Sequence, residues 1–121
     1  MNTVETDTTD VFELADRLAA QAAGARAGRA AHKVTGGPGT ELTQTVIAMN
    51  AGTRLDEHEN PGEATILILR GRAELGTDQE AWTVGLGGLM EIPPERHYLT
   101  ALEDTVVVLT SVKQRSKTHE A

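Results

Sequence analysis

The sequence predicts an all-β fold, a sandwich or barrel with an N-terminal helical extension. Two observations carry that prediction. Short apolar or alternating runs recur at regular spacing from residue 31 to residue 113. Gly and Pro punctuate those runs, as in GGPG, PG, GLGG and PP, and this mix of short runs and turns is the pattern of a strand-rich domain. Only Phe12, Trp82 and Tyr98 are aromatic, so the core must be aliphatic. A chain of 121 residues suits one domain around one such core.

Taken in order, residues 1–8 are polar, lack an apolar period and are expected to be disordered. A helix is expected across residues 9–30. Asp10 can cap it, with Glu13 three positions later as in a capping box, and Phe12, Leu14, Ala15 and Leu18 recur at roughly helical spacing. The Ala-rich continuation favours helix but has little to bury, and Gly24 and Gly28 can end it. The barrel is expected across 31–113, with a polar tail at 114–121. Its strands are AHKV, ELTQTVIAMN, ATILIL, RAEL, AWTVG, LMEI, HYLTAL and TVVVLTSVK, eight in all. In ELTQTVIAMN the alternation puts Leu42, Gln44, Val46 and Ala48 on one face and Thr43, Thr45, Ile47 and Met49 on the other. ATILIL is apolar on both faces, as a strand buried on both sides would be.

Charge narrows the function classes. The formal net charge is −7, from 18 acidic and 11 basic residues. Such a chain lacks the basic footprint of a nucleic-acid binder and would be repelled by anionic membranes. No apolar run approaches the ~20 residues of a membrane helix, and the acidic start MNTVETDTTD is not a signal peptide. Cysteine is absent, which excludes disulfides, thiolate catalysis and thiolate-ligated metals. A cytoplasmic location is the default expectation.

The chemistry-bearing stretch is HENPGEA, residues 58–64. Around it, Gly52 is followed by five residues and His58, then Asn60, then Ala64 after three more, then Gly71 after six. Further on, Gly87, five residues and Pro93 precede Pro94, Glu95, Arg96 and His97.

From residue 41 to 112 this layout resembles the cupin superfamily, in particular the small single-domain, RmlC-like members. The resemblance implies a jelly-roll β-barrel. It also implies a metal-ligand set of His, His and Glu from the first motif and His from the second. Here those positions hold His58, Asn60, Ala64 and His97, so two of the three first-motif positions have changed type. The second motif is one residue short, with Glu95 where Gly is usual and Ala101 where Asn is usual. Imidazoles with a carboxylate suit Fe(II), Mn(II), Ni(II) or Zn(II), whereas an amide oxygen is a poor donor and Ala has none.

Glu63 is the nearest substitute carboxylate, but it is one residue out of register, which on a strand turns a side chain to the other face. Glu57 and Glu59 flank His58 and should point away from its face. Gln44 and Glu91 can project into a barrel if their strands face that way. Arg70 shares a strand face with Ala64, Ile66 and Ile68, and either meets an anionic ligand or sits at the surface. Tyr98 should face away from His97, and Trp82 reads as a wall or interface residue. His32 and His119 have no informative spacing.

Three functions remain open. The first is a barrel that holds a small polar ligand against His58, Asn60 and His97. The second is a metal-dependent oxygenase or isomerase using His58, His97 and Glu63 with a divalent transition metal. The third is a homodimeric scaffold in which the helix makes contacts. Fold alone does not choose among them.

Overall fold

The computed structural model describes residues 8–58 and 62–113, and the side chains of all of these except Glu57 and His58. The expectations for Asn60, the first seven residues and the tail with His119 lie outside the described residues.

One helix precedes nine strands. They are α1 (Val11–Gly24), β1 (Arg29–Thr35), β2 (Leu42–Met49), β3 (Arg54–His58), β4 (Glu63–Arg70), β5 (Ala73–Gly76), β6 (Ala81–Val84), β7 (Leu89–Glu91), β8 (His97–Ala101) and β9 (Thr105–Val112). Two antiparallel sheets face each other. One has the order β1-β2-β9-β4-β7, the other β3-β8-β5-β6. Non-sequential neighbours in both sheets are the mark of a jelly roll. Among the described residues no helix is long and apolar enough to cross a membrane.

The helix starts where expected. The Asp10 carboxylate accepts hydrogen bonds from the Phe12 and Glu13 amides at 3.0 and 3.2 Å, satisfying two amides of the first turn. A cap of this kind contributes about 1 kcal/mol. The helix stops at Gly24, the first of the two glycines expected to end it and six residues short of the bound at 30; Arg29 and Ala30 already pair with Met49 and Ala48. Leu14, Ala15, Leu18 and Ala22 are buried against Val46, Ala48 and Val106 on the outer face of the larger sheet. Each buried leucine contributes about 2 kcal/mol. Phe12 departs from the expected pattern: it is 59% exposed, lying outside the buried stripe of Leu14, Leu18 and Ala22.

The larger core lies between the sheets. It contains Ile47, Met49, Ala64, Ile66, Ile68, Ala73, Leu75, Val84, Ile92, Leu99, Ala101 and Val107. The alternation read in β2 holds: Ile47 and Met49 point inward, while Val46 and Ala48 meet the helix. In β4, Ala64, Ile66 and Ile68 point inward and Leu69 packs toward the helix, so both faces of this strand are used.

The ninth strand, β3, is the one missed by apolar patterning. Arg54 and Asp56 are exposed and Leu55 is half-buried, so this edge strand carries too few apolar residues to show a period.

Two sites at one end of the barrel turn the chain between the sheets. Gly71 has φ +81°, and a Cβ there would run into the Asp104 carbonyl oxygen. Only glycine makes that corner without strain. Beside it the Thr105 hydroxyl, which is buried, accepts from the Arg72 amide at 3.2 Å. Its single proton is shared between the Arg72 and Glu103 carbonyls, at 3.0 and 2.7 Å.

Candidate functional site at the barrel mouth

His97 opens β8 at the opposite end of the barrel. Its partner across the sheet is His58, the last residue of β3. The two backbones therefore bring both histidines to the same place, as the spacing of the two motifs requires. A register shift between Leu55 and His58 makes the alignment: without that irregularity, strict pairing would not set His58 opposite His97.

His97 is 2% exposed. Its Nδ1 lies 2.9 Å from the Glu95 carbonyl oxygen. A carbonyl only accepts, so in this contact Nδ1 carries the proton. The loop that makes this contact begins with Pro93-Pro94, whose fixed φ angles stiffen it.

His97 borders a small cavity of about 30 Å³. Its other walls are Ile47, Leu55, Ile66, Leu75, Ile92, Leu99, Val107 and Leu109. That volume admits a group about the size of one water molecule. The aliphatic core thus fills the barrel, and His97 is the one polar side chain in the described wall.

The remaining residues singled out by sequence do not converge there. Ala64 is buried and faces the barrel, but has no donor atom. Glu63 is exposed and pairs with Val112, one position out of phase with Ala64. The strand register therefore directs it outward. Gln44 also points outward, donating from Nε2 to the Thr110 hydroxyl at 3.3 Å. Glu91 is exposed and sits opposite Thr65, on the outer face. His32 is exposed opposite Val46, again on the outer face. Among the described residues no three His, Asp or Glu side chains gather as a metal site would require. Of the four positions that the resemblance implies as ligands, Ala64 and His97 are described to the side chain, and of these only His97 carries a donor atom.

Arg70 has a different task. A bulge between Ile68 and Arg70 breaks the alternation of β4 and sets Arg70 opposite Val106, which faces the helix. Its guanidinium donates to the Asp16 carboxylate and, at 3.3 Å, to the Phe12 carbonyl oxygen. Arg70 is a clamp for α1, not a lining group.

Tyr98 faces away from His97, as alternation demands. Its hydroxyl lies 3.4 Å from the Glu74 carboxylate, and the Arg54 guanidinium sits 3.9 Å above its ring. Trp82 pairs with Leu75, which in turn pairs with Leu99. Cross-strand partners share a face, so the indole lies on the barrel side of the edge strand β6.

This fold matches known structures. A conserved protein of unknown function from Streptococcus pyogenes is 28% identical, with a TM-score of 0.67 over 76% of this chain and 80% of that one. An RmlC-like cupin from Shewanella frigidimarina is 15% identical, with a TM-score of 0.64 over 75% and 81%. The chain has a cupin fold. A salicylate 1,2-dioxygenase from Pseudaminobacter salicylatoxidans shares this cupin fold at 18% identity and a TM-score of 0.68. There the match covers 83% of this chain but 33% of that longer enzyme. No protein-family model matches the sequence, and no curated protein matches it.

Proposed function

We propose that this cupin is a binding protein that holds a small polar ligand at the barrel mouth, against His97 and His58. One observation carries the reading. A buried histidine, with its proton placed on Nδ1 by the Glu95 carbonyl, borders an otherwise aliphatic cavity. Apolar walls strengthen any hydrogen bond that this imidazole makes at the mouth. The 30 Å³ space takes only the tip of a ligand. The rest must lie outside it, and the first-motif spacing nominates Asn60 as a further polar contact.

The missing carboxylate separates this reading from a metal-dependent oxygenase or isomerase. Ala64 cannot ligate and Glu63 is directed outward. The test is an NMR fragment screen of untagged protein with labelled imidazoles, run with and without chelator. Polar fragments are expected to shift the His97 resonances equally in both. Near-stoichiometric Fe, Mn, Ni or Zn, removed by chelation together with an activity, would overturn the proposal in favour of the enzyme.

A homodimer is the second reading, favoured by one observation. On the outer face of the larger sheet, beyond the helix, Leu42, Leu89 and Val112 are exposed. Light scattering of the full chain should give twice the 12.9 kDa monomer mass. A monomer at all concentrations removes this reading.

A further inference from the structure

On the reading of the mouth as a binding site, we infer that it has a second wall, the hydroxyls of Thr43, Thr45 and Ser111, and that its ligand is a small neutral polyol.

Strand register builds the wall. In the larger sheet Ala64 faces the interior, and Ser111 is its partner on β9. Thr43 is the partner of Ser111 on β2. In the next inward row, Thr45 pairs with Leu109, which packs against the interior core. Cross-strand partners share a face, so all three hydroxyl-bearing side chains point between the sheets. Leu109 and His97 border the same cavity, which sets the Thr45 row level with the histidine on the facing sheet. The Thr43–Ser111–Ala64 row lies one step further from the Gly71 end. Imidazole and hydroxyls therefore face one another across the mouth.

Three features set the class of ligand. Among the described residues, none of these three hydroxyls makes a hydrogen bond, whereas those of Thr40, Thr53, Thr77, Thr105 and Thr110 do. All three residues are half-buried, so they are partly stripped of water yet reachable from the mouth. A partner from outside supplies the missing bonds. Second, each hydroxyl both donates and accepts and turns to suit, which matches ligand hydroxyls. Third, the wall holds no buried charge. Glu63 and Glu91 face outward, and Lys33, the partner of Thr45 on β1, is exposed at the sheet edge. An ionised ligand would lose hydration without a buried counter-charge among the described residues. A polyol exchanges bonds to water for bonds to hydroxyls, and rests its C–H groups on Leu109 and Ile66.

The experiment titrates the full-length protein and follows the Thr43 and Thr45 methyl signals and the His97 ring by NMR. Glycerol is the polyol probe, propan-1-ol the single-hydroxyl control of like size, and lactate the ionised one. Glycerol is expected to give saturable shifts with a Kd on the order of 10 mM, and both controls to bind about tenfold more weakly. The triple substitution Thr43→Val, Thr45→Val, Ser111→Ala keeps side-chain shape and removes the hydroxyls. Its unfolding midpoint should be unchanged or raised, because these hydroxyls hold nothing within the described chain. Its glycerol affinity, read at His97, should fall about tenfold. The single variant Thr45→Ser keeps the hydroxyl and should keep binding.

Equal affinity for glycerol and either control overturns the inference. So does the absence of a saturable response, full glycerol affinity in the triple variant, or a destabilised triple variant, which would make the hydroxyls structural. The two readings fail differently. If polar fragments shift His97 and glycerol does not bind, the hydroxyl wall falls and the binding role of His97 stands. If the triple variant loses glycerol while His97→Leu retains it, the wall stands and the role of His97 falls.

Discussion

The two ends of this barrel are built on opposite terms. At the end where Gly71 and Thr105 meet, polar groups are satisfied within the chain. The Thr105 hydroxyl serves three backbone groups, the Asp104 carboxylate accepts from the Ala51 amide at 2.8 Å, and Gly52 bonds the Ala101 carbonyl at 2.8 Å. At the mouth end, His97 borders a cavity. The bonds closed at one end make a rigid corner; the other end carries the candidate site. Stability and binding can then be changed separately.

Substitutions can break or sharpen that contrast. The largest effect is expected from Gly71→Ala. The new Cβ meets the Asp104 carbonyl oxygen at a positive φ, so neither neighbour nor backbone can yield cheaply. A loss of about 3 kcal/mol or more is expected by denaturant unfolding, or no folded protein at all. Next, Thr105→Val keeps the shape of a buried side chain but orphans the Arg72 amide and the Glu103 carbonyl. Unfolding should report a loss of about 1–3 kcal/mol. At the mouth, His97→Leu should cost much less stability, about 1 kcal/mol or less, because the cavity around it is aliphatic. The same variant should lose fragment binding. A large stability loss with binding intact would erase the distinction between the ends. The smallest effect is expected for Glu63→Gln, which should leave stability and metal content unchanged within about 0.5 kcal/mol and within assay error, since the residue is exposed and faces outward. Loss of a bound metal in that variant would show that the strand register does not hold at residue 63.

The legible parts of the fold were those governed by local rules. The Asp10 cap, the alternation in β2 and the two-faced β4 all follow from backbone geometry over a few residues. The polar edge strand β3 was not legible, because pairing with β8 and not apolar period makes it a strand. At the candidate site, the pairing of β3 with β8 sets the His58 backbone opposite that of His97. Facing was harder: Gln44, Glu91 and Arg70 could each have lined a barrel. Their outward direction depends on which sheet face the helix covers and on a bulge after Ile68. Phe12 remains exposed because it lies off the stripe that Leu14, Ala15, Leu18 and Ala22 bury.

Sequence alone therefore determined the strand-rich class, the helix start and the changed ligand positions at Asn60 and Ala64, since these rest on residue type and spacing. Only the tertiary structure decided how much room the barrel leaves and which polar groups share it. Side-chain volumes from seven strands and Ile92 fill the interior to about 30 Å³, a packing result that no single strand encodes.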